Sequence, residues 1–147
     1  MTEIREMTTD AEVLETFPVM RQLRPWLTED TYVDAVQRRR ADYGYHLVAR
    51  IEEGRVVCVA GYKYSHSFHF LKYMYVDDLV SDETVRSRGH GDALFDWLEA
   101  ESRCQGCANL RLDTGVQRID AQRFYDRKGM TFLCQHRVKE INGLRRE

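Results

Sequence analysis

A chain of 147 residues, 43% hydrophobic and 31% charged, supplies one core and has no need of a second. With two prolines and no Gly/Ser-rich or single-sign stretch, it reads as one globular domain over residues 1–147 and excludes a disordered or multi-module chain. A formal charge of −2 argues against general nucleic-acid binding although 18 of the 22 basic residues are arginine, and with no signal-peptide layout in MTEIREMTTD and no apolar run of roughly 18 residues, we expect a cytoplasmic protein with no nucleic-acid or membrane partner.

Ile4–Met7 is the first strand candidate. Thr9 or Asp10 caps a helix carrying Val13, Leu14, Phe17, Met20 and Leu23, which Pro18 kinks. TEDTYVDAVQRRR, with its Thr28 cap and acidic first turn, predicts a second helix over about 28–42. Its Arg38-Arg39-Arg40 run, between Asp34 and Asp42, reads as a solvated face. YHLVARI and VVCVAGYKY then form a hairpin turning at Glu53-Gly54. In FLKYMYVDDLVS, Met74 and Val76 alternate with Tyr73 and Tyr75, but two acids and two apolar residues stand side by side at Asp77-Asp78-Leu79-Val80. That failure predicts a bulge that bends the strand.

Ala93, Leu94, Trp97 and Leu98 share one face of a helix that follows RSRGHG. ANLRLDT is a strand, RIDAQRFYDRKGM a short helix stopped by Gly129 with Met130 behind it, and TFLCQHRVKEI a closing strand. The tally β, α, α, β, β, β, α, β, α, β predicts an α+β fold. Cys58, Cys104, Cys107 and Cys134 read as free thiols. The Cys104-x-x-Cys107 pair lacks the further ligands that a zinc site needs, and His66 and His69 read as loop or strand-face residues, so no metal is expected.

RSRGHG raises a chemical question. A loop entering a helix exposes unsatisfied N–H groups at the positive end of the macrodipole. Gly89 and Gly91 open that backbone, and Arg86 and Arg88 add charged donors, so the loop suits a phosphate or pyrophosphate. A dinucleotide fingerprint would need glycine where Leu94 stands, and a Walker A loop needs a Gly-Lys pair that the chain lacks. The remaining readings are another anion, or a tight turn before a helix.

Arg86-x-x-Gly89-x-Gly91 resembles the [QR]xxGx[GA] motif of the GNAT superfamily of acyl-CoA-dependent N-acyltransferases. The resemblance runs from about Lys72 to Leu133, and Ala121, Phe124, Tyr125, Gly129 and Met130 match a second family pattern, A-x-x-[LF]-Y-x-x-x-G-[FM], in order. It implies a mixed, mostly antiparallel central sheet of about six to seven strands flanked by about four helices. It also implies transfer of an acetyl group from acetyl-CoA to a primary amine by direct attack within a ternary complex.

Carried over by position, the resemblance puts the CoA pyrophosphate on Arg86, Ser87, Arg88, Gly89, His90, Gly91 and Asp92. Pantetheine pairs like an added strand with Leu79, Val80 and Ser81, where one N–H polarises the thioester carbonyl. Phe124 joins the cofactor-binding residues. Tyr125 is the implied proton donor to the leaving thiolate, since a phenol of pKa near 10 can protonate one whose thiol has a pKa around 8 to 9. Asp77, Asp78 and Glu83 are the candidates to accept the amine proton, directly or through water, although Asp77 and Asp78 read first as a polar strand end and otherwise as a seat for a cationic substrate.

One position departs from the family. Arg118 stands where many members have an asparagine, which puts the pantetheine contact credited to that residue in doubt. Asp120 reads as a helix cap or charge partner. The acceptor groove is expected from the first helices, the connection Ser65 to Phe70 and the last strands, with Tyr32, Tyr64, Phe68, Tyr73 and Tyr75 as aromatic candidates. The aromatic strand is compatible with a homodimer. A non-catalytic acyl-CoA-binding module on the same fold is the main alternative, and a metal or redox protein built on Cys104 and Cys107 is a distant third.

Overall fold

The computed structural model describes residues 1–143, which fall into two compact units, one from Met1 to Arg111 and a second beginning at Leu112.

In the first unit, β1 (Thr2–Glu6), β2 (His46–Glu52), β3 (Arg55–Ser67), β4 (Leu71–Ser81) and β5 (Asn109–Arg111) form one sheet in the order β1-β2-β3-β4-β5. All neighbours are antiparallel except β4 and β5. The β2–β3 hairpin turns at Glu53-Gly54, both at positive φ, which is the geometry that a two-residue turn between twisted strands requires. The β3–β4 connection is tighter than expected: β3 continues through His66 to Ser67, so only Phe68 to Phe70 are left to turn.

The first helix is two. Pro18 cannot donate to Leu14, and the chain breaks at Thr16 into α1 (Asp10–Glu15) and α2 (Phe17–Leu23), with the proline in the first turn of α2. Thr9 closes a capping box with Glu12 at the start of α1. The α3 helix (Glu29–Tyr43) follows Thr28 and ends on Gly44 in the left-handed conformation. Arg38 and Arg39 lie on its exposed side, but Arg40 turns inward and donates to the Met7 carbonyl at 2.7 Å.

These three helices cover one sheet face through a core that includes Val13, Phe17, Met20, Tyr32, Val36, Leu47, Ala49, Ile51 and Val59. The α4 helix (His90–Cys104) covers the other, where Trp97 meets Tyr62. A 3₁₀ turn (Glu83–Val85) joins β4 to α4.

The second unit holds α5 (Ile119–Arg127), which ends at Gly129 as expected: the Met130 N–H returns to the Tyr125 carbonyl at 3.1 Å. Two expectations change. Five strands stand among the described residues instead of six to seven, because TFLCQHRVKEI forms no ladder. In that segment Phe132 and Leu133 are adjacent instead of alternating, and both remain exposed, as do Val138 and Ile141. Five α-helices replace about four, because of the break at Thr16.

Candidate active site

The irregularity expected in β4 is a bulge at Asp77. Gly61 of β3 pairs with Asp78 and Tyr62 pairs with Val76, so Asp77 is the extra residue. The two adjacent acids consequently have different surroundings. Asp78 is engaged on both oxygens: Arg24 Nε donates to Oδ1 at 2.9 Å and the Tyr45 hydroxyl to Oδ2 at 2.8 Å. Burial, followed by the charge of Asp78, pushes the Tyr45 hydroxyl far up, so it stays a donor.

Asp77 has one partner. Lys63 Nζ reaches its Oδ1 at 3.3 Å, while Oδ2 is buried without a hydrogen bond and Arg24 takes the Asp77 main-chain carbonyl at 2.8 Å. Desolvation raises the Asp77 carboxyl and the neighbouring Asp78 adds to the shift, against the lowering effect of Lys63 and Arg24.

Beyond the bulge, β4 outruns its other neighbour. Its parallel pairing with β5 ends at Tyr75↔Arg111, while its pairing with β3 continues to Ser81. Among the described residues, Val76 to Ser81 therefore have one edge on which no strand pairs. The Asp82 N–H donates to Val57 of β3 at 2.9 Å, so by alternation the N–H and C=O of Leu79 and Ser81 face that open edge and those of Val80 face β3. The Ser81 carbonyl lies 3.5 Å from Arg86 Nε.

The open edge leads to the glycine-rich loop. Ser87 and Gly89 both have positive φ, and Gly89 is the N-cap of α4 with no side chain satisfying the first N–H groups. Successive amides in this conformation make an anion-binding concavity at the start of a 15-residue helix. Arg86, Ser87, Arg88 and Asp92 are exposed and Gly91 is half-buried. His90 differs from its neighbours: its ring is buried under the helix start, with Nδ1 accepting from Arg50 Nε at 3.2 Å and Nε2 3.7 Å from Glu52. Its contribution to the loop is structural on the side-chain level, with only its N–H directed to the concavity by the helix.

The loop is anchored by a residue that sequence reasoning passed over. Asp82 is buried, accepts from Thr84 N at 3.1 Å and Gln22 Nε2 at 3.3 Å, and pairs closely with Arg55. Burial alone would raise this carboxyl, but the Thr84 N–H, Gln22 and Arg55 hold it below the ordinary aspartate value. Asp-x-Thr at a strand exit was a readable cap signal. Gly61 inside VVCVAGYKY was another: a Cβ there would stand 1.7 Å from the Tyr45 hydroxyl oxygen, so only glycine admits the ring that holds Asp78. Arg24 and Tyr45 had no local signal.

Of the aromatic residues expected around an acceptor, only Tyr73 and Tyr75 share a sheet face with the bulge. Tyr32 is buried in the core against Thr16, Tyr64 meets Tyr62 and His46 edge-on on the α4 face, and Phe68 stands free at the hairpin tip. Glu83 is exposed in the 3₁₀ turn. Phe124 and Tyr125 belong to the second unit, both half-buried on α5 with ring centroids 5.3 Å apart, and Asp120 sits in the first turn of that helix behind Arg118 at the N-cap. Among the described residues, the cysteines are unpaired, no group of three potential metal ligands gathers, and no helix is long and apolar enough to cross a membrane.

Comparison with known proteins identifies the family. The model of the Acetyltransferase (GNAT) family matches residues 5–130. An uncharacterized N-acetyltransferase of Bacillus subtilis, YhdJ, is 31% identical over 132 residues, covering 89% of this chain and 93% of its own. An aminoalkylphosphonate N-acetyltransferase of Salmonella typhimurium is 26% identical over 128 residues, covering 86% and 83%. Among solved structures, an aminoglycoside N-acetyltransferase, AAC(6')-Iy in complex with CoA, superposes with a TM-score of 0.83 at 15% identity, covering 97% of this chain and 96% of its own, a likeness of fold alone. The α+β sheet, the strand with one open edge and the family match over most of the chain lead to one conclusion: this chain belongs to the GNAT family of acetyltransferases.

Proposed function

We propose that the whole chain acts as a single acetyltransferase domain that moves the acetyl group of acetyl-CoA to a primary amine, without an acyl-enzyme. The observation that carries the reading is the open edge of β4 leading into an uncapped helix start. Leu79 and Ser81 offer main-chain groups to pantetheine as an added strand would, with Val80 between them turned to β3. The loop amides of Arg86, Ser87, Arg88, Gly89, His90, Gly91 and Asp92 receive the pyrophosphate, and Phe124 packs against the cofactor. An outward N–H of Leu79 or Ser81 suits the thioester oxygen as negative charge develops on it.

Asp77 is the better base of the two acids. Its raised carboxyl and unpartnered Oδ2 suit it to take a proton from an ammonium, directly or through one water. Asp78, committed to Arg24 and Tyr45, positions the bulge. The neutral amine then attacks the carbonyl carbon, the C–N bond forms and the C–S bond breaks. Tyr125 gives its hydroxyl proton to the departing sulfur, and the nitrogen loses its second proton to solvent or back to the phenolate. The products are an amide and free CoA thiol. We place the reaction in the cytoplasm, in keeping with four unpaired cysteines.

The test is thiol release from acetyl-CoA against a broad amine panel. Release by the wild type is expected, and Tyr125→Phe should lower turnover by about 10²–10⁴-fold with little change in acetyl-CoA affinity. Acetyl-CoA binding without release from any amine would favour the non-catalytic module, and full turnover by the Phe variant would remove Tyr125 from the mechanism.

A further inference from the structure

Three strands contribute to one row across the sheet next to the bulge. Lys63 pairs with Tyr75 and Tyr75 with Arg111, so these side chains stand on one face, and the following row is Ser65, Tyr73 and Asn109. The face is the one that carries Asp78, because Gly61, which meets Tyr45 and pairs with Asp78, lies two residues before Lys63. The row lies about 7 Å along β4 from Asp77, at two residues of strand rise.

The cations in this row have different company. Lys63 is held by Asp77 at 3.3 Å and lies over the Tyr75 ring. The guanidinium carbon of Arg111 lies over two rings, 3.7 Å from the Phe70 centroid and 4.8 Å from that of Tyr73. Asn109 fixes this shelf by donating from Nδ2 to the Phe70 carbonyl at 2.7 Å. Among the described residues, Arg111 has neither a carboxylate nor a hydrogen-bond acceptor, whereas Arg5, Arg24, Arg55 and Arg103 each have a carboxylate. A cation–π contact with a ring spends none of the N–H donors of a guanidinium in a hydrogen bond. A fork held in that way fits a planar or tetrahedral oxyanion.

We propose that Arg111 is the anion seat of the acceptor site, and that the enzyme selects small amines carrying a carboxylate, phosphonate or phosphate a few bonds from the amino group. The inference rests on the acetyltransfer reading above, with the amine at Asp77 and the oxyanion on the Arg111 fork. Neutral amines of the same length leave the fork unpaired in the bound state and lose its charge-assisted bonds.

The experiment compares 3-aminopropylphosphonate and 4-aminobutyrate with butylamine, in thiol-release assays and in calorimetric titrations of the CoA-loaded enzyme. The anionic amines should exceed butylamine by about ten- to hundredfold in kcat/KM, and which of the two leads identifies the oxyanion. Arg111→Gln should abolish that preference while leaving acetyl-CoA affinity and the rate with butylamine in place, and Arg111→Lys should restore part of it. Equal rates for charged and neutral amines, or a preference that survives in Arg111→Gln, would overturn the proposal. If no amine releases thiol, the catalytic reading fails separately. Calorimetry still decides the anion seat, by 3-aminopropylphosphonate binding that Arg111→Gln does or does not remove.

Discussion

Asp77 and Asp82 bracket the stretch of β4 that leads to the loop, and the fold treats the two carboxyls in opposite ways. Asp82 is buried among donors, Thr84 N–H, Gln22 and Arg55, and its charge is favoured. Asp77 sits at a bulge with one lysine 3.3 Å away and an oxygen with no partner, and its charge is disfavoured. A carboxylate saturated with donors ties elements together and is a poor base. One that is desolvated and half-satisfied costs the folded state something, and it has a reason to take a proton. The difference separates scaffold from chemistry within six residues of one chain.

The largest expected effect is at Asp77. Asp77→Asn keeps the size and the Lys63 contact but removes the basic site, so kcat/KM should fall by about 10²-fold or more while the melting temperature holds or rises. Wild type should show an acidic limb in kcat/KM displaced above the ordinary aspartate range, because burial raises this carboxyl, and the limb should vanish in the variant. An unchanged limb in Asp77→Asn would assign the proton acceptor elsewhere.

Next in size is a change that touches neither acid directly. Gly61→Ala places a methyl group 1.7 Å from the Tyr45 hydroxyl oxygen and 2.3 Å from its ring carbon, and the ring must leave Asp78. Overpacking together with a lost buried hydrogen bond should destabilise the chain by about 3 kcal/mol, read as a lowered denaturant midpoint. Tyr45→Phe, which makes room for no methyl but removes the donor, should cost less, about 1 kcal/mol. If Gly61→Ala is as stable as wild type, the close approach of Tyr45 is not what fixes the bulge.

At the other bracket, Asp82→Asn removes the charge that Arg55 and the Thr84 N–H favour. A loss of about 2 kcal/mol is expected, with acetyl-CoA bound about tenfold more weakly and kcat at saturation nearly unchanged. That pattern is the reverse of Asp77→Asn, and finding the same kinetic signature in both variants would erase the distinction between the two acids.

Much of this architecture could be read along the chain because its signals are local. Alternation fails at Asp77-Asp78, the glycines of RSRGHG precede a helical stripe, Glu53-Gly54 turns a hairpin, and Gly129 stops a helix, each within a few residues of its consequence. What decides between Asp77 and Asp78 is not local. Arg24 lies 54 positions before Asp78 and Tyr45 lies 33 before it, so only the folded sheet shows that one acid is occupied. Tyr32 reads as an acceptor-site aromatic on composition, yet its place on the inner face of α3 sends it to Thr16 and the core. The last strand illustrates the same limit: apolar residues suffice to suggest a strand, but a ladder needs a partner at the right register.

The smallest effect gives the sharpest sign. Asp82 has a folded value below the ordinary one of about 4, so the stability it contributes is complete above that value and is lost as pH falls through its lowered folded value. Asp77 has a folded value above it. Its contribution is complete below about pH 4 and is lost as pH rises through the raised value, so wild type pays for ionising it above the ordinary aspartate value. Melting temperatures measured from pH 3 to 7 should therefore differ between wild type and the two Asn variants in opposite directions. Asp77→Asn should gain on wild type as pH rises out of the acid range, by ~3 °C or less, and Asp82→Asn should lose on it over the interval in which Asp82 becomes ionised. Parallel curves would mean that both carboxyls titrate in the folded chain as they do in the unfolded one, and the contrast between them would then rest on kinetics alone.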